Sequence, residues 1–250
     1  MHCLETNEFP YYPTDDVWRR EEFSKFIQYQ GNLWDNKIIK QTMHGLALSW
    51  SYMPHAFDVQ CGNMNTPLQT FLNDKEKIKK KMEQLGHVDS PSGLRKALKV
   101  MTGSQGVSNF RPTAAQAIYE KFLPNGGTTW DMSGGYGGRL LGAIKTQINY
   151  IATEPAKETF DGLTQIAKDW GQQSNLFGIE QSLEIVQSGS EDYIPKKESL
   201  DLCFTSPPYF DTEKYSNEAV SYTHLRAHQT EADLVSPHQR EKKGGGGGGG

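Results

Sequence analysis

Short strand-like runs alternate with stretches of helical periodicity in the second half of the chain. One run ends at Asp131, and the others occupy residues 149–153, 183–187 and 199–204. Between them, apolar residues recur at the spacing of an amphipathic helix, as at Phe160, Leu163 and Ile166. Because strand–helix–strand alternation builds parallel sheets, this pattern predicts an α/β fold with four strands of a mostly parallel, doubly wound sheet.

The first half of the chain has a different pattern, with helical periodicity and few strand-like runs. Thr14-Asp15-Asp16 predicts an N-cap for a helix through Phe26 and Ile27. Further helices are predicted around residues 34–43, 74–81 and 92–101, with residues 50–72 as loops or short strands. A last helix, beginning near Pro112, has apolar positions on one side, at Ala114, Ala117, Ile118 and Phe122. We therefore expect a mainly helical N-terminal region, residues 1–105, before a sheet domain at residues 106–218.

Composition and charge restrict the function classes. The formal net charge of −4 argues against a surface that binds nucleic acid throughout, although a local basic patch is compatible with it. The lysine-rich segment 74–81 is interpreted as a solvated helix face, with a phosphate-contacting strip as the alternative. Cys3, Cys61 and Cys203 are too far apart to indicate a zinc site or a disulfide framework. No apolar run reaches about 18 residues, so we expect a soluble, cytoplasmic protein without metal or membrane partners.

A glycine-dense turn follows the run that ends at Asp131, and a helix is predicted to begin near Arg139. Glycines allow positive φ and a close approach of a ligand to the backbone. A phosphate-binding loop requires Gly-Lys-Ser/Thr, which is absent here, and a dinucleotide fingerprint requires glycine at Leu140. The remaining pattern, Asp-x-x-x-Gly-x-Gly, resembles the S-adenosylmethionine (SAM) loop of Rossmann-like methyltransferases.

That resemblance implies specific contacts with the cofactor. Asp131 would lie near the methionine end, and the backbone of Gly135 and Gly137 would leave room for the cofactor. Ser133 would also contact the cofactor. Glu154 comes 23 positions after Asp131, at the end of the second strand, where an acidic side chain can accept hydrogen bonds from both ribose hydroxyls. The alternative for Glu154 is a surface carboxylate before a helix N-terminus, which is favourable in itself.

The fourth run leads into Thr205-Ser206-Pro207-Pro208-Tyr209. Two prolines end a strand and keep the preceding carbonyls free as acceptors, beside the flat ring of Tyr209. The carboxyl edge of such a sheet is where open α/β folds bind ligands. The motif resembles the Ser-Pro-Pro-Tyr motif of DNA methyltransferases that modify exocyclic amino groups. The alternative is a purely structural proline turn after a buried strand.

Membership of that family would imply a Rossmann-like SAM-dependent methyltransferase fold, present in part as its first four strands. Ser206, Pro207, Pro208 and Tyr209 would bind the target base after it leaves a DNA duplex, with cytosine N4 favoured over adenine N6 and no metal required. Phe110 and Thr113, which precede the glycine turn, would also line the cofactor pocket. Ser190 or Glu191, after the third strand, would line its adenine side. The alternatives are an RNA or protein amide methyltransferase of the same fold, or a SAM-binding module without activity.

The C-terminal stretch has no apolar period and ends in seven glycines. Residues 219–228 resemble the translation of a transposon-end sequencing adapter. We therefore expect native sequence to stop near Glu218, residues 219–250 to form a non-native disordered tail, and the 250-residue chain to be inactive as an enzyme. Without the tail, residues 1–218 carry a net charge of −5.

Overall fold

A computed structural model describes residue 4 and residues 8–35, 37–87, 90–171, 181–206 and 213–214. The predicted tail at 219–250 lies outside these residues, as do Pro207, Pro208 and Tyr209. Within the described ranges, no helix has the length and apolar character needed to cross a membrane.

The N-terminal segment begins as predicted and then departs from the prediction. Helix α1 (Asp16–Gln28) is capped by the Asp15 carboxylate, which accepts a hydrogen bond from the Trp18 amide at 2.9 Å. The predicted second helix is wrong, because strands β1 (Trp34–Asp35) and β2 (Ile38–Ile39) form an antiparallel hairpin. A helix would bury one apolar stripe, but Ile38 is 71% exposed. The Trp34 indole instead donates to the Ala117 carbonyl at 3.3 Å, so tertiary packing decides its position.

Short helices build the rest of the N-terminal half. They and one strand are α2 (Leu46–Ser51), a 3-10 helix (Pro54–Asp58), β3 (Gln60–Cys61), α3 (Pro67–Asn73), α4 (Lys75–Gln84) and α5 (Pro91–Lys99). Residues 50–72, predicted as loops or short strands, therefore also contain the end of α2 and most of α3. The helices at 74–81 and 92–101 are confirmed as α4 and α5. Helices α3 to α5 share a small apolar core that includes Phe71, Ile78, Met82, Leu94 and Leu98.

The second half alternates between helices and strands as predicted. The elements are α6 (Pro112–Phe122), β4 (Thr128–Asp131), α7 (Gly138–Thr146), β5 (Asn149–Thr153), α8 (Lys157–Trp170), β6 (Leu183–Val186), β7 (Leu202–Cys203) and β8 (Glu213–Lys214). A 3-10 helix (Ser190–Asp192) lies between β6 and β7. Phe122, predicted on the buried face of α6, is 60% exposed and is a wrong prediction.

The central sheet has four parallel strands in the order β6-β5-β4-β7. The predicted α/β class and parallel sheet are therefore confirmed. The chain runs outward from β4 to β6 and then returns to the other side of β4 for β7. Such a reversal places a crevice outside the carboxyl ends of the two strands that flank it. The pair β3 and β8 forms a separate antiparallel contact.

The main core joins the N-terminal helices to the sheet domain. Phe26 and Leu48, from the first half, belong to the same buried cluster as Leu140 and Tyr150 from the second. The Phe23 ring stacks on Trp170 of α8, with 4.1 Å between ring centroids. Side chains thus pack across the predicted domain boundary at residue 105, and residues from both halves of the chain support the carboxyl edge of the sheet.

Candidate functional site

The glycine turn connects β4 to α7 through residues 132–137, at the carboxyl edge of the sheet. Gly135 and Gly137 have φ of +57° and +81°, a left-handed backbone that other residues adopt only with strain. A Cβ atom at Gly138 would lie 1.8 Å from the Phe110 carbonyl oxygen. The turn is therefore pressed against the segment that precedes α6, and glycine is required there by close packing.

Asp131 lies beneath the turn and is fully buried. Its Oδ2 accepts hydrogen bonds from Arg139 Nε and from the Tyr150 hydroxyl, both at 2.6 Å. Its Oδ1 accepts the Ser133 amide at 3.3 Å. Burial, with the negative charge of Asp131, raises the pKa of Tyr150 well above its ordinary value, so the phenol remains a proton donor. Asp131 thus holds the turn from inside.

Glu154 follows β5 and contacts the turn from the neighbouring strand. It is 7% exposed; its Oε2 accepts the Gly135 amide at 3.0 Å and its Oε1 accepts the Ala156 amide at 3.1 Å. Burial raises the pKa of Glu154 to about 7, although the two amide hydrogen bonds favour the ionised form. The structure thus places Glu154 against the predicted cofactor loop, with a carboxyl group that changes charge near neutral pH.

The turn also contacts the start of the proline motif. Ser133 Oγ shares a hydrogen bond of 2.7 Å with Thr205 Oγ1 and donates to the Ser206 carbonyl at 3.1 Å. Ser206 is exposed, whereas Thr205 is half-buried. These bonds join the carboxyl ends of β4 and β7, the two strands that flank the reversal in strand order.

Aromatic rings form a wall beside this junction. The Phe110 and Phe204 rings meet edge to face with 5.4 Å between centroids, and Arg139 lies 5.6 Å from the Phe110 centroid. Phe110 directly precedes Arg111, the N-cap residue of α6. Phe110 therefore lies at the carboxyl edge of the sheet, where sequence analysis predicts a cofactor contact.

The other predicted residues are placed less centrally. Thr113 is fully buried, and its hydroxyl bonds to the Thr42 side chain at 3.1 Å. Gly137 packs toward α8, because a Cβ there would lie 2.7 Å from the Ile166 side chain. Ser190 and Glu191 lie on the 3-10 helix after β6, and no hydrogen bond of the described residues links them to the glycine turn.

Sequence analysis did not identify two residues that hold the turn. Ser49 Oγ donates to the Tyr136 carbonyl, and Asn109 Nδ2 donates to the same carbonyl at 3.0 Å and to Ser49 Oγ at 2.8 Å. Ser49 is fully buried in α2, far from the turn in sequence. A serine within an apolar helix has no motif to mark it, so only the tertiary contact identifies its role.

No group of three or more His, Cys, Asp or Glu side chains that could hold a metal ion occurs among the described residues. Comparison of the chain with protein-family models, with curated proteins and with solved structures finds no match. The edge formed by the glycine turn, Glu154 and the end of β7 is therefore the candidate site.

Proposed function

We propose that this protein is a SAM-dependent methyltransferase of Rossmann-like fold that modifies an exocyclic amino group of a base in DNA, with cytosine N4 favoured over adenine N6. The observation that carries the proposal is the junction of Ser133 with Thr205 and Ser206. It brings the glycine turn into contact with Thr205 and Ser206, the residues that begin the Ser-Pro-Pro-Tyr stretch, at one edge of a parallel sheet. The contact lies at a reversal in strand order, where such sheets bind ligands.

The residues present fit SAM at two points. A Cβ at Gly135 would meet no atom closer than 3.6 Å, so this side of the turn is open to a ligand that approaches the backbone. Glu154, which holds the Gly135 amide, keeps lone pairs on both oxygens for ribose hydroxyls. The Phe110 ring, which meets the Phe204 ring near the end of β7, adds an apolar surface at the same edge of the sheet.

Bound SAM supplies a sulfonium methyl group as the electrophile. The chain must bind the target amine so that its lone pair leaves conjugation with the ring. The Ser206 side chain and the Pro207 carbonyl would accept the amino hydrogens and stabilise positive charge as it develops on nitrogen. Tyr209 would stack on the base once it has left the duplex. Catalysis then follows from holding the amine in line with the methyl group.

Label transfer tests the proposed reaction. The full-length product of the native gene is incubated with tritium-labelled SAM and DNA, and nucleoside chromatography separates N4-methylcytosine from N6-methyladenine. Ser206→Ala is expected to slow transfer about tenfold, since one hydrogen bond to the amine is lost. Ser182→Ala, which removes a hydroxyl from an exposed residue before β6, is the matched control and keeps the rate. Label found only in RNA or protein would reject DNA as the substrate.

The affinity for 5′-methylthioadenosine, which has the ribose of SAM but no titrating amino acid, is expected to rise about tenfold from about pH 6 to pH 8. Glu154 has a pKa of about 7 in the free protein, because burial disfavours its charge. The ionised carboxylate accepts both ribose hydroxyls, so ligand binding favours proton release. Binding therefore weakens as the pH falls through that pKa, as calorimetry at several pH values can measure.

Two variants separate the role of Glu154 from general effects of pH. Glu154→Gln cannot ionise and should give a flat profile, while Glu158→Gln, at an exposed carboxylate in the first turn of α8, should keep the wild-type slope. If the wild type binds 5′-methylthioadenosine with the same affinity at every pH, the role assigned to Glu154 is contradicted but the proposed function is not. Absence of binding at every pH would contradict the proposed function.

A further inference from the structure

Helices α3, α4 and α5 form a small unit with an apolar core of its own, and we call residues 67–99 the helical unit. The buried side chains of this core are Phe9, Phe71, Ile78, Met82, Leu94, Ala97, Leu98 and Met101. None of them belongs to the main core that joins the N-terminal region to the sheet. Because the apolar sides of α4 and α5 face the small core, the charged residues of both helices lie on the outside.

The helical unit is basic in a chain that is acidic as a whole. Residues 67–99 contain eight Lys or Arg and four Asp or Glu, a net charge of +4, whereas the whole chain carries −4 and the rest of it −8. Charge asymmetry of this kind is typical of proteins that bind a polyanion through one part of their surface. A nucleic-acid backbone that approaches this protein is therefore attracted to the helical unit and repelled by the net charge of the remainder.

Most of these cations have no carboxylate partner. Within the described ranges, α4 has one ion pair, between Lys77 and Asp74 at 3.0 Å, and no ion pair includes a residue of α5. Helix α5 contains no acidic residue. Lys80 and Lys96 are exposed, and Lys81 is half-buried. The charges of these three lysines are therefore available to an anion that approaches from solvent.

Aromatic contacts connect the helical unit with the glycine turn. The Tyr136 ring of the turn lies 5.3 Å from the Trp50 ring, which lies 5.9 Å from Phe57, between centroids. The Phe57 centroid lies 5.1 Å from that of Phe9, and Phe9 meets Phe71 of α3 edge to face at 5.5 Å. These four contacts together reach about 20 Å, the length of about six base pairs of duplex DNA. A duplex whose target base enters the candidate site is therefore long enough to extend to the helical unit.

We propose that the outer side of α4 and α5 binds the phosphate backbone of the DNA duplex that carries the target base, with Lys80, Lys81 and Lys96 as phosphate contacts. The choice of DNA rests on the proposed function. Exposed lysines on helices suit a duplex backbone, because a phosphate contact requires a cation within reach and no shaped pocket. Such contacts fix the position of the DNA without reading its sequence. The proposal thus favours the phosphate-contacting alternative for segment 74–81 and extends it to α5.

Fluorescence anisotropy with a labelled DNA duplex of about 20 base pairs tests this surface at salt concentrations from about 50 to 200 mM. The protein is the full-length product of the native gene. The triple variant Lys80→Ala/Lys81→Ala/Lys96→Ala is expected to reduce the slope of log K against log salt by about 2.7, since each phosphate contact on duplex DNA contributes about 0.9. Alanine is a good helix former, so the substitutions should leave α4 and α5 folded, as circular dichroism can verify.

A second triple variant is the matched control. Lys168→Ala/Lys196→Ala/Lys197→Ala removes the same total charge from exposed lysines of the sheet domain. The control should keep the wild-type slope, because the proposed contacts lie on the helical unit.

A slope that is unchanged in the helical-unit variant, or reduced equally in the control, would overturn the proposal. Tighter binding of an RNA duplex with the same sequence would also overturn it. Affinity for 5′-methylthioadenosine, measured by calorimetry, should be the same in the helical-unit variant as in the wild type. An unchanged slope with retained nucleoside binding would reject this surface alone, whereas absence of nucleoside binding in the wild type would reject the proposed function.

Discussion

Replacing Asp131 with asparagine is expected to lower the free energy of unfolding by about 3 kcal/mol. The carboxylate is fully buried and accepts hydrogen bonds from Arg139 and Tyr150 at 2.6 Å. Arg139 is itself only 4% exposed, so loss of its partner leaves a buried cation uncompensated. Removal of one member of a buried pair costs more than the pair contributes, because the remaining charge keeps its desolvation cost.

Urea unfolding monitored by circular dichroism measures this change. Asp161→Asn is the matched control, since it removes the same carboxylate from an exposed ion pair with Lys157, also 2.6 Å long. Exposed pairs contribute about 1 kcal/mol or less, because water and salt screen them. Equal effects of the two substitutions would contradict the internal role assigned to Asp131.

Replacing Gly138 with alanine is expected to destabilise the protein by about 3 kcal/mol and to abolish nucleoside binding. In a helix interior alanine is the better helix former by about 1 kcal/mol, and Gly138, as the first residue of α7, would gain at most that much. That gain is outweighed, because the new Cβ would lie 1.8 Å from the Phe110 carbonyl oxygen and 2.8 Å from the Asn109 side chain. Both contacts belong to backbone or to a side chain that holds the turn, so the turn must move.

Gly86→Ala separates this steric effect from the general cost of replacing glycine. Gly86 has φ of +63° and no atom within 4 Å of its added Cβ, so alanine there costs about 1 kcal/mol of backbone strain. Thermal unfolding and calorimetry with 5′-methylthioadenosine on both variants provide the comparison. Nucleoside binding that survives in Gly138→Ala would show that the turn does not contact the ligand.

The sheet domain could be predicted from the amino-acid sequence, because each of its strands and helices has a local sequence pattern. Residues 150–152 form an apolar run between the polar residues Asn149 and Thr153, and β5 occupies Asn149–Thr153. The glycines after Asp131 could likewise be placed between a strand and a helix, as β4 and α7 confirm. Strand-like runs that alternate with amphipathic helices predict parallel strands, because each helical connection returns the chain to the same end of the sheet.

The hairpin of β1 and β2 shows where this reasoning fails. Trp34, Ile38 and Met43 have the spacing of a helix, but Ile38 and Met43 are 71% and 61% exposed. The spacing of apolar residues shows which positions could share a face of a helix. It does not show whether another element covers that face. The Trp34 indole finds its partner at Ala117, far along the chain, and this long-range contact determines the local structure.

The same distinction applies to the candidate site. Asp131, Ser133, Glu154 and Ser206 could be selected from the sequence alone, because they lie at or just after the carboxyl ends of strands that share one edge of the sheet. Only the folded structure shows that Asp131 faces Arg139, that Glu154 holds the Gly135 amide, and that Ser49 and Asn109 support the turn. A local pattern specifies the element on which a side chain lies. Its partner, its burial and hence its pKa depend on distant segments that meet only when the chain folds.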